Sequence, residues 1–294
     1  MNLKKIQLKY DKFKQYLLLI RLNRPIGIFL LLWPTLWGLW IASEGFPKTE
    51  ILVVFLFGVF LMRSAGCILN DIIDKDFDKF VARTQNRPLA SDKLSSIEAF
   101  IVAISLIFIA FLLVLTTNTL TVQLSFVAII LAGTYPFLKR HTYLPQFFLG
   151  LTFGWSIPMA FAATTNSIPK IAWLLLIANI LWVVVYDTIY AMIDREDDLK
   201  IGIKSTAILF DDADRFIIGL IQSLVLIALI VIGQQTSLNT IYYFSLIIGG
   251  CLFLYQLYLI RNRDPKKCMQ AFLNNNWFGL VVFIGLFINY LYEL

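Results

Sequence analysis

The chain has 294 residues, of which 59% are hydrophobic and only 15% are charged, and its mean hydropathy is +0.76. Soluble domains carry about 25% charged residues, so this composition excludes a soluble protein and predicts a polytopic membrane protein. The net charge of +6 does not indicate a nucleic-acid partner, because the basic residues lie in short segments beside apolar runs, where they report membrane orientation.

The first 24 residues are basic, and their apolar residues recur three and four positions apart. This series consists of Leu3, Ile6, Tyr10, Phe13, Leu17 and Ile20, with lysines on the other faces. The pattern predicts an amphipathic helix lying on the membrane surface. The apolar core is too short for a signal peptide, and no cleavage site follows it. We therefore expect residues 1–24 to form an interfacial helix and residues 25–294 to form one transmembrane domain.

Nine apolar runs that follow are long enough to span a bilayer. They cover roughly residues 26–43, 50–69, 97–115, 119–138, 145–163, 171–190, 216–233, 241–260 and 275–292. An open sheet edge cannot persist in lipid, so the predicted fold class is all-α, a polytopic bundle without a separate soluble domain.

The basic residues are distributed asymmetrically between the segments that join these spans. If the N-terminus is inside, the outer segments carry only Lys48 and Lys170, and one arginine, Arg63, falls within a span. All other basic residues are then on the inner side. This distribution fits the positive-inside rule for an odd number of helices, and it predicts that both acidic clusters described below face the cytoplasm.

The first acidic cluster follows the second span. Asn70, Asp74 and Asp78 repeat every four residues and share one helical face. Arg83 and Arg87 then repeat the same spacing with the opposite charge. A row of oxygen donors followed by a basic pair predicts a metal ion and a phosphate group held side by side, with Arg83 and Arg87 as phosphate ligands.

A second cluster follows the sixth span and places Asp194 and Asp198 four residues apart. Fourteen of the 19 acidic residues lie within 71–98 and 187–214. A single charge run is often an ordinary solvated loop, but two runs on the same side with the same spacing favour a functional site. We expect these two loops to meet and to bind magnesium diphosphate at the membrane surface.

Arg63 lies inside the second span, where a charged side chain costs at least about 2.5–3.5 kcal/mol and is by default a functional candidate. Arg63 precedes Asn70 by seven residues, so both lie on one helical face, with Arg63 about 10 Å deeper. The alternative is a structural partner for a buried carboxylate, for which Asp187 is the one candidate within a span. We favour a role in binding a substrate anion below the metal site.

The remaining polar residues limit the possible chemistry. Further basic residues near the acidic clusters are Arg24, Lys139, Arg140 and Lys204, and some of these only set orientation. One histidine and three scattered cysteines cannot build a zinc site, and Cys67 and Cys251 fall in apolar runs. The expected metal is therefore one that prefers oxygen ligands.

Both acidic stretches resemble the signatures of the intramembrane aromatic prenyltransferases. The first is Asn70-Asp71-x-x-Asp74-x-x-x-Asp78, followed by Arg83-Thr84-x-x-Arg87-Pro88-Leu89, and the second runs from Tyr186 to Asp198 and continues into residues 202–207. Residues 21–27, 135–140 and 154–159 are similar to the same family. The resemblance covers nearly the whole chain, and it is greatest to the bacterial members that prenylate 4-hydroxybenzoate in ubiquinone synthesis.

This resemblance implies nine transmembrane helices around a central cavity with a cytoplasmic cap. It implies that Asn70, Asp74 and Asp78 bind one Mg²⁺ and that Asp194 and Asp198 bind a second. Arg24, Arg83, Arg87 and Lys139 would contact the diphosphate of a polyprenyl diphosphate. Arg63 and Ser156 would meet the carboxylate of 4-hydroxybenzoate, which agrees with the depth of Arg63.

The implied reaction is attack of the phenol ring on an allylic carbon as the diphosphate departs. Asp74 and Asp194 would be essential, and either Asp71 or Asp194 would polarise the phenol. The apolar tail would extend between helices into membrane lipid, in the bacterial inner membrane. The same family could instead act on dihydroxynaphthoate, haem or a glycerol phosphate.

Two other classes of protein fit less well. CDP-alcohol phosphotransferases carry D-G-x-x-A-R at their first aspartates, whereas this chain has Asp71-Ile72-Ile73-Asp74. A secondary transporter would place its carboxylates near the bilayer midplane on broken helices, whereas here they crowd one surface.

Overall fold

A computed structural model describes residues 3–81 and 83–292, apart from the side chains of residues 3–10, Lys139 and Ile201. The described residues form twelve α-helices and one 3-10 turn, and they contain no β-strand. The helices are α1 (Leu3–Leu19), α2 (Ile26–Ala42), α3 (Thr49–Asp78), α4 (Ser96–Val114), α5 (Thr119–His141), α6 (Pro145–Gly154), α7 (Ser156–Thr165), α8 (Lys170–Ile201), α9 (Thr206–Phe210), α10 (Asp214–Gln235), α11 (Thr240–Ile260) and α12 (Pro265–Leu291).

The nine predicted spans are confirmed as nine apolar helical stretches within the described chain. Eight of them are long and apolar enough to cross a bilayer, and α2 is a shorter apolar helix of 17 residues. One stretch combines α6 with α7, and another combines α9 with α10. The predicted fold class, an all-α membrane bundle around a central cavity, is therefore correct.

The two acidic clusters form rows along their helices, Asn70, Asp74 and Asp78 on α3 and Asp194 and Asp198 on α8. Both helices extend further than their apolar runs. We expected the spans to end near residues 69 and 190 and the acidic residues to follow in the connections, with Asn70, Asp74 and Asp78 on one helical face. The helical face is confirmed, but the helices themselves are longer, since α3 continues to Asp78 and α8 continues to Ile201. Neither extension contains a proline or a glycine to interrupt the helix, and α8 ends only at Gly202, whose φ is 72°. The aspartate rows thus lie on rigid helix ends, which fixes the direction of each side chain.

The fifth span is interrupted where the sequence predicted a continuous run. Helix α6 ends at Gly154 and α7 begins at Ser156. Pro158 lies one turn after Gly154 and has no N–H to donate to its carbonyl, which explains the break. The break places Ser156 at the start of a helix beside the central cavity.

Helix α12 begins ten residues before the predicted run 275–292. Asp264 caps it by accepting a hydrogen bond from the Lys267 backbone N–H at 2.9 Å. Its polar residues are satisfied by neighbouring helices: Gln256 donates to Asn274 at 3.0 Å, Trp182 donates to Asn275 at 2.9 Å, and Trp33 donates to Asn276 at 2.9 Å. These interhelical hydrogen bonds allow a polar segment to remain helical inside the bundle.

One end of the bundle is covered by α1 and by the segment that joins α3 to α4. Leu19 is fully buried against Ile68 and Leu89, and Lys12 on α1 pairs with Glu98 on α4. The part of α1 with described side chains therefore packs on the bundle, and its contact with the membrane surface stays a prediction. This covered end is the one that carries both acidic rows.

Candidate active site

Arg83 links the segment after the first acidic row to the second acidic row. Arg83 lies in the segment after α3, and its Nε is 3.1 and 3.2 Å from the two carboxylate oxygens of Asp194 on α8, while its Nη2 is 2.5 Å from Oδ2. The Tyr190 hydroxyl also accepts a hydrogen bond from Arg83. Burial opposes the charge of Arg83, but Tyr190 and Asp194 outweigh it, so the pKa of Arg83 is raised above its ordinary value and the guanidinium stays charged.

A cavity of about 190 Å³ lies between the two rows. All five residues predicted as metal ligands line it, namely Asn70, Asp74, Asp78, Asp194 and Asp198. Arg83, Arg87 and Lys204 line the same cavity. The fold thus gathers oxygen donors from two distant parts of the chain around one small volume, together with the basic side chains that a phosphate group requires.

Asp71 is held by two arginines at the rim of this site. Arg21 Nη2 lies 2.5 and 2.7 Å from the two oxygens of Asp71, and Arg87 Nη1 lies 3.0 Å from Oδ1. The same Arg87 nitrogen is 2.7 Å from Oδ2 of Asp78. Asp71 is buried, so these pairs fix the orientation of Arg87 toward the acidic row.

A larger cavity of about 560 Å³ lies deeper in the bundle and adjoins the small one. The two share Asn70, Arg83, Arg87, Tyr135, Asp187 and Tyr190 in their linings. Its far part is lined mainly by apolar residues of α3, α4 and α5, including Val54, Phe55, Ile107, Phe111 and Val114. The site therefore consists of a small cavity lined by charged residues and a larger cavity lined mainly by apolar residues.

Arg63 lines the larger cavity, and its surroundings distinguish between the two roles considered for it. No carboxylate of the described residues lies within 4.0 Å of its guanidinium, and its buried Nε makes no hydrogen bond. The guanidinium carbon lies 5.2 Å from the centre of the Phe153 ring. Asp187, the alternative structural partner, is therefore not paired with Arg63. This arrangement favours an arginine available to an anion over one bound in a structural ion pair.

The other predicted substrate ligands do not all reach the two cavities, since Arg140 is absent from both linings. Ser156 lines the larger cavity, and its hydroxyl accepts a hydrogen bond from Thr35 at 2.7 Å. Arg24 lines the same cavity and is an exposed residue just before α2. Arg140 Nη2 bonds the Ile73 carbonyl at 2.9 Å and lies 3.9 Å from Oδ1 of Asp74.

Two lysines complete the predicted set. Lys204 bonds the His141 carbonyl at 3.3 Å and lines the small cavity. The side chain of Lys139 lies outside the described residues.

Comparison with known sequences decides the family. Residues 31–293 match the model of the UbiA prenyltransferase family. The chain belongs to this family. It is 55% identical over 281 residues to the 4-hydroxybenzoate octaprenyltransferase of Psychromonas ingrahamii, covering 96% of this chain and 98% of that protein. It is also 55% identical over 274 residues to the enzyme of the same name from Saccharophagus degradans, covering 93% of this chain and 92% of the relative.

Solved structures confirm the UbiA fold. A UbiA homolog from Aeropyrum pernix superposes with a TM-score of 0.79 at 23% identity, covering 89% of this chain and 97% of that one. A UbiA homolog from Archaeoglobus fulgidus bound to GPP and Mg²⁺ superposes with a TM-score of 0.70 at 16% identity, covering 91% and 99%. At these identities the comparison establishes the shared fold.

Several residues of this UbiA-family site were not predicted as site residues, although Asp187 was considered as a structural partner of Arg63. Asp187 and Tyr190 precede Asp194 by seven and four residues, so they share its helical face and line both cavities. That spacing could have identified them. Arg21 gave no local signal, because its role depends on a left-handed backbone conformation (φ 61°) at the end of α1 that turns it toward Asp71.

Arg195 lies next to Asp194 in sequence but points away from the site. It pairs with Asp211, and its Nη1 lies 3.9 Å from Oδ2 of the fully buried Asp214. Arg263, from the segment between α11 and α12, lies 2.9 Å from the same Asp214 oxygen. This cluster ties the end of α8 to two neighbouring connections and thereby supports the second acidic row.

The donor set fits a hard divalent cation. Among the described residues, no three carboxylate, histidine or cysteine side chains are close enough to hold a metal ion by themselves. Mg²⁺ does not need such a cage, because it binds through one or two carboxylates and completes its shell with water and substrate phosphate oxygens. The small cavity offers carboxylate and amide oxygens from α3 and carboxylate oxygens from α8, which would supply the protein's share of such a shell.

Proposed function

We propose that this protein transfers a polyprenyl group from polyprenyl diphosphate to 4-hydroxybenzoate, at the ring carbon next to the hydroxyl, as a membrane step of ubiquinone synthesis. The observation that carries the proposal is the pair of adjoining cavities, whose linings share six residues. The small cavity, lined by oxygen donors and arginines, suits a metal-bound diphosphate, and the larger, mainly apolar cavity beside it is lined by Arg63. The names of relatives at 55% identity support the same substrates.

The polar chamber would hold the diphosphate with two Mg²⁺ ions. Asn70, Asp74 and Asp78 would bind one ion, and Asp194 and Asp198 the other. When bound, the metal neutralises charge that develops on the departing diphosphate. Arg83 and Arg87 line both cavities. Arg24 and Lys139 would add contacts to the phosphates. Arg140 and Lys204 would lie at the periphery of the diphosphate site.

The acceptor would lie in the larger cavity. Arg63 would receive its carboxylate with the help of the Ser156 hydroxyl, because a buried guanidinium without a carboxylate partner gains most from an anionic ligand. The polyprenyl tail would follow the apolar lining of α3, α4 and α5 toward lipid.

The reaction breaks the allylic carbon–oxygen bond, and its electron pair leaves with the diphosphate. A new carbon–carbon bond forms from the ring carbon, and the proton of that carbon is lost. A carboxylate near the phenol would draw the hydroxyl proton and raise the electron density of the ring. Asp71 and Asp194 remain the two candidates: Asp71 lines the larger cavity, whereas Asp194 lines the smaller one.

The bacterial relatives support a location in the bacterial inner membrane. The positive-inside distribution supports an orientation with the N-terminus and both acidic rows in the cytoplasm. Soluble 4-hydroxybenzoate and Mg²⁺ would reach the site from that side, and the isoprenoid would enter from the bilayer.

The test is a radiolabel transfer assay in membranes that contain the protein. Labelled polyprenyl diphosphate is supplied with 4-hydroxybenzoate, dihydroxynaphthoate, haem or glycerol phosphate, each with Mg²⁺ and with a chelator. We expect labelled product with 4-hydroxybenzoate and Mg²⁺, and none after chelation. Product with another acceptor and none with 4-hydroxybenzoate would overturn the proposed acceptor.

A further inference from the structure

The guanidinium of Arg63 lies directly against Gly27, in the first turn of α2. A methyl group built on Gly27 would stand 2.5 Å from Arg63 Nε, 2.5 Å from Nη2 and 2.9 Å from Cζ. Real Cβ atoms essentially never approach other heavy atoms closer than 3.0 Å. Any side chain at position 27 and Arg63 in its present place therefore exclude each other.

The backbone does not require a glycine at this position. Gly27 is helical and does not adopt a positive φ, and alanine is the better helix former. The space that the missing side chain leaves is the feature that this glycine supplies. That space is filled by the guanidinium of Arg63.

The position of the guanidinium depends on few other contacts. Its Nε makes no hydrogen bond, and the Phe153 ring is its cation–π partner. An arginine held by packing in this way moves when its packing surface changes. A methyl group at position 27 would displace the guanidinium by about 0.9 Å or more, from 2.5 Å to the 3.4 Å of ordinary van der Waals contact.

We propose that Gly27 is a specificity-determining residue, whose missing side chain sets the place from which Arg63 binds the carboxylate of an aromatic acid. This inference rests on the proposed function, because it takes Arg63 as the carboxylate ligand. The flexible end of Arg63 yields more easily than the helix backbone, so Gly27→Ala leaves the fold intact. The displaced guanidinium loses its alignment with the acceptor, and misplacement on the scale of 1 Å is enough to weaken recognition strongly.

The first experiment measures binding of radiolabelled 4-hydroxybenzoate to purified Gly27→Ala in detergent, together with KM for both substrates. We expect the Kd and KM for 4-hydroxybenzoate to rise about tenfold or more, as for a weakened charge-assisted hydrogen bond, with KM for polyprenyl diphosphate changed less than about twofold. The matched control is Gly133→Ala on α5, because a methyl group there meets nothing within 4 Å. An unchanged Kd in Gly27→Ala overturns the inference.

The second experiment is a double-mutant cycle with Arg63→Ala. If Gly27 acts through Arg63, adding Gly27→Ala to Arg63→Ala has no further effect on 4-hydroxybenzoate binding. A full additional loss shows another route of action and overturns the inference. If Arg63→Ala itself binds 4-hydroxybenzoate normally, the role of Arg63 in the proposed function fails instead.

Thermal midpoints keep the cycle interpretable. Should Gly27→Ala lower the midpoint in detergent, the clash with Arg63 predicts that Arg63→Ala restores it in the double variant. A loss of stability that Arg63→Ala does not restore would place the clash elsewhere and overturn the inference.

Discussion

Arg83 and Asp194 form a two-pronged ion pair across 111 residues of sequence, with Arg83 Nη2 2.5 Å from Asp194 Oδ2 and Nε 3.1 Å from Oδ1. The pair joins the segment after α3 to the end of α8. Because α3 carries the first acidic row and α8 carries the second, this contact brings both rows to one cavity.

Asp74→Ala and Asp194→Ala should each reduce transfer by at least 100-fold, because each removes an oxygen ligand that the diphosphate and metal would require. Transfer from labelled polyprenyl diphosphate measures the loss, and size-exclusion chromatography in detergent verifies the fold. The matched control is Asp197→Ala, since Asp197 belongs to the same stretch but its carboxylate is 42% exposed and pairs with Lys200. Normal turnover in either site variant would contradict the two-metal assignment.

Arg63→Ala should raise KM for 4-hydroxybenzoate about 10- to 100-fold, the range expected for loss of a charge-assisted hydrogen bond, while KM for polyprenyl diphosphate stays near its original value. Arg63→Lys should recover part of the affinity, because it restores the charge without the planar fork. Arg261→Ala is the control, since Arg261 is an exposed arginine stacked on Tyr258. An unchanged apparent affinity for the acid would remove Arg63 from the acceptor site.

Arg83→Gln should weaken polyprenyl diphosphate binding and leave 4-hydroxybenzoate binding in the absence of the diphosphate nearly unchanged. The variant loses the charge that pairs with Asp194 at the junction of the two cavities. We expect KM for polyprenyl diphosphate to rise by about tenfold or more. Steady-state kinetics with each substrate varied in turn measures this separation. Equal loss of affinity for both substrates would indicate a general disruption of the site.

Asp214→Ala should lower stability by about 1.5–3 kcal/mol, the contribution of hydrogen bonds to a charged group. Asp214 is fully buried and bonds Arg263 at 2.9 Å. The measurement is a thermal unfolding midpoint in detergent. Asp212→Ala is the control, because Asp212 is 93% exposed and its 3.4 Å contact with the same Arg263 should contribute little. Equal midpoints for the two variants would show that the buried Asp214 carboxylate contributes no more to stability than the exposed carboxylate of Asp212.

Local sequence determined the spans and the acidic rows. A bilayer requires about 20 apolar residues per helix and internal satisfaction of every backbone group, so hydropathy alone located nine helical stretches. The four-residue spacing of Asn70, Asp74 and Asp78 placed them on one face because the helix repeats every 3.6 residues. Both are properties of neighbouring residues, and for that reason they can be seen in one sequence.

Only the tertiary structure decided which faces meet. Asp71 is fixed by Arg21, Arg83 reaches Asp194, and Arg63 has Gly27 rather than a carboxylate against its guanidinium. Helix α3 also continues through the first acidic row to Asp78, beyond the predicted end of the apolar span near residue 69. These features depend on packing between segments that are far apart in the chain. The spacing of residues within one segment does not predict them, because the partner of a side chain is set by how whole helices lie against one another.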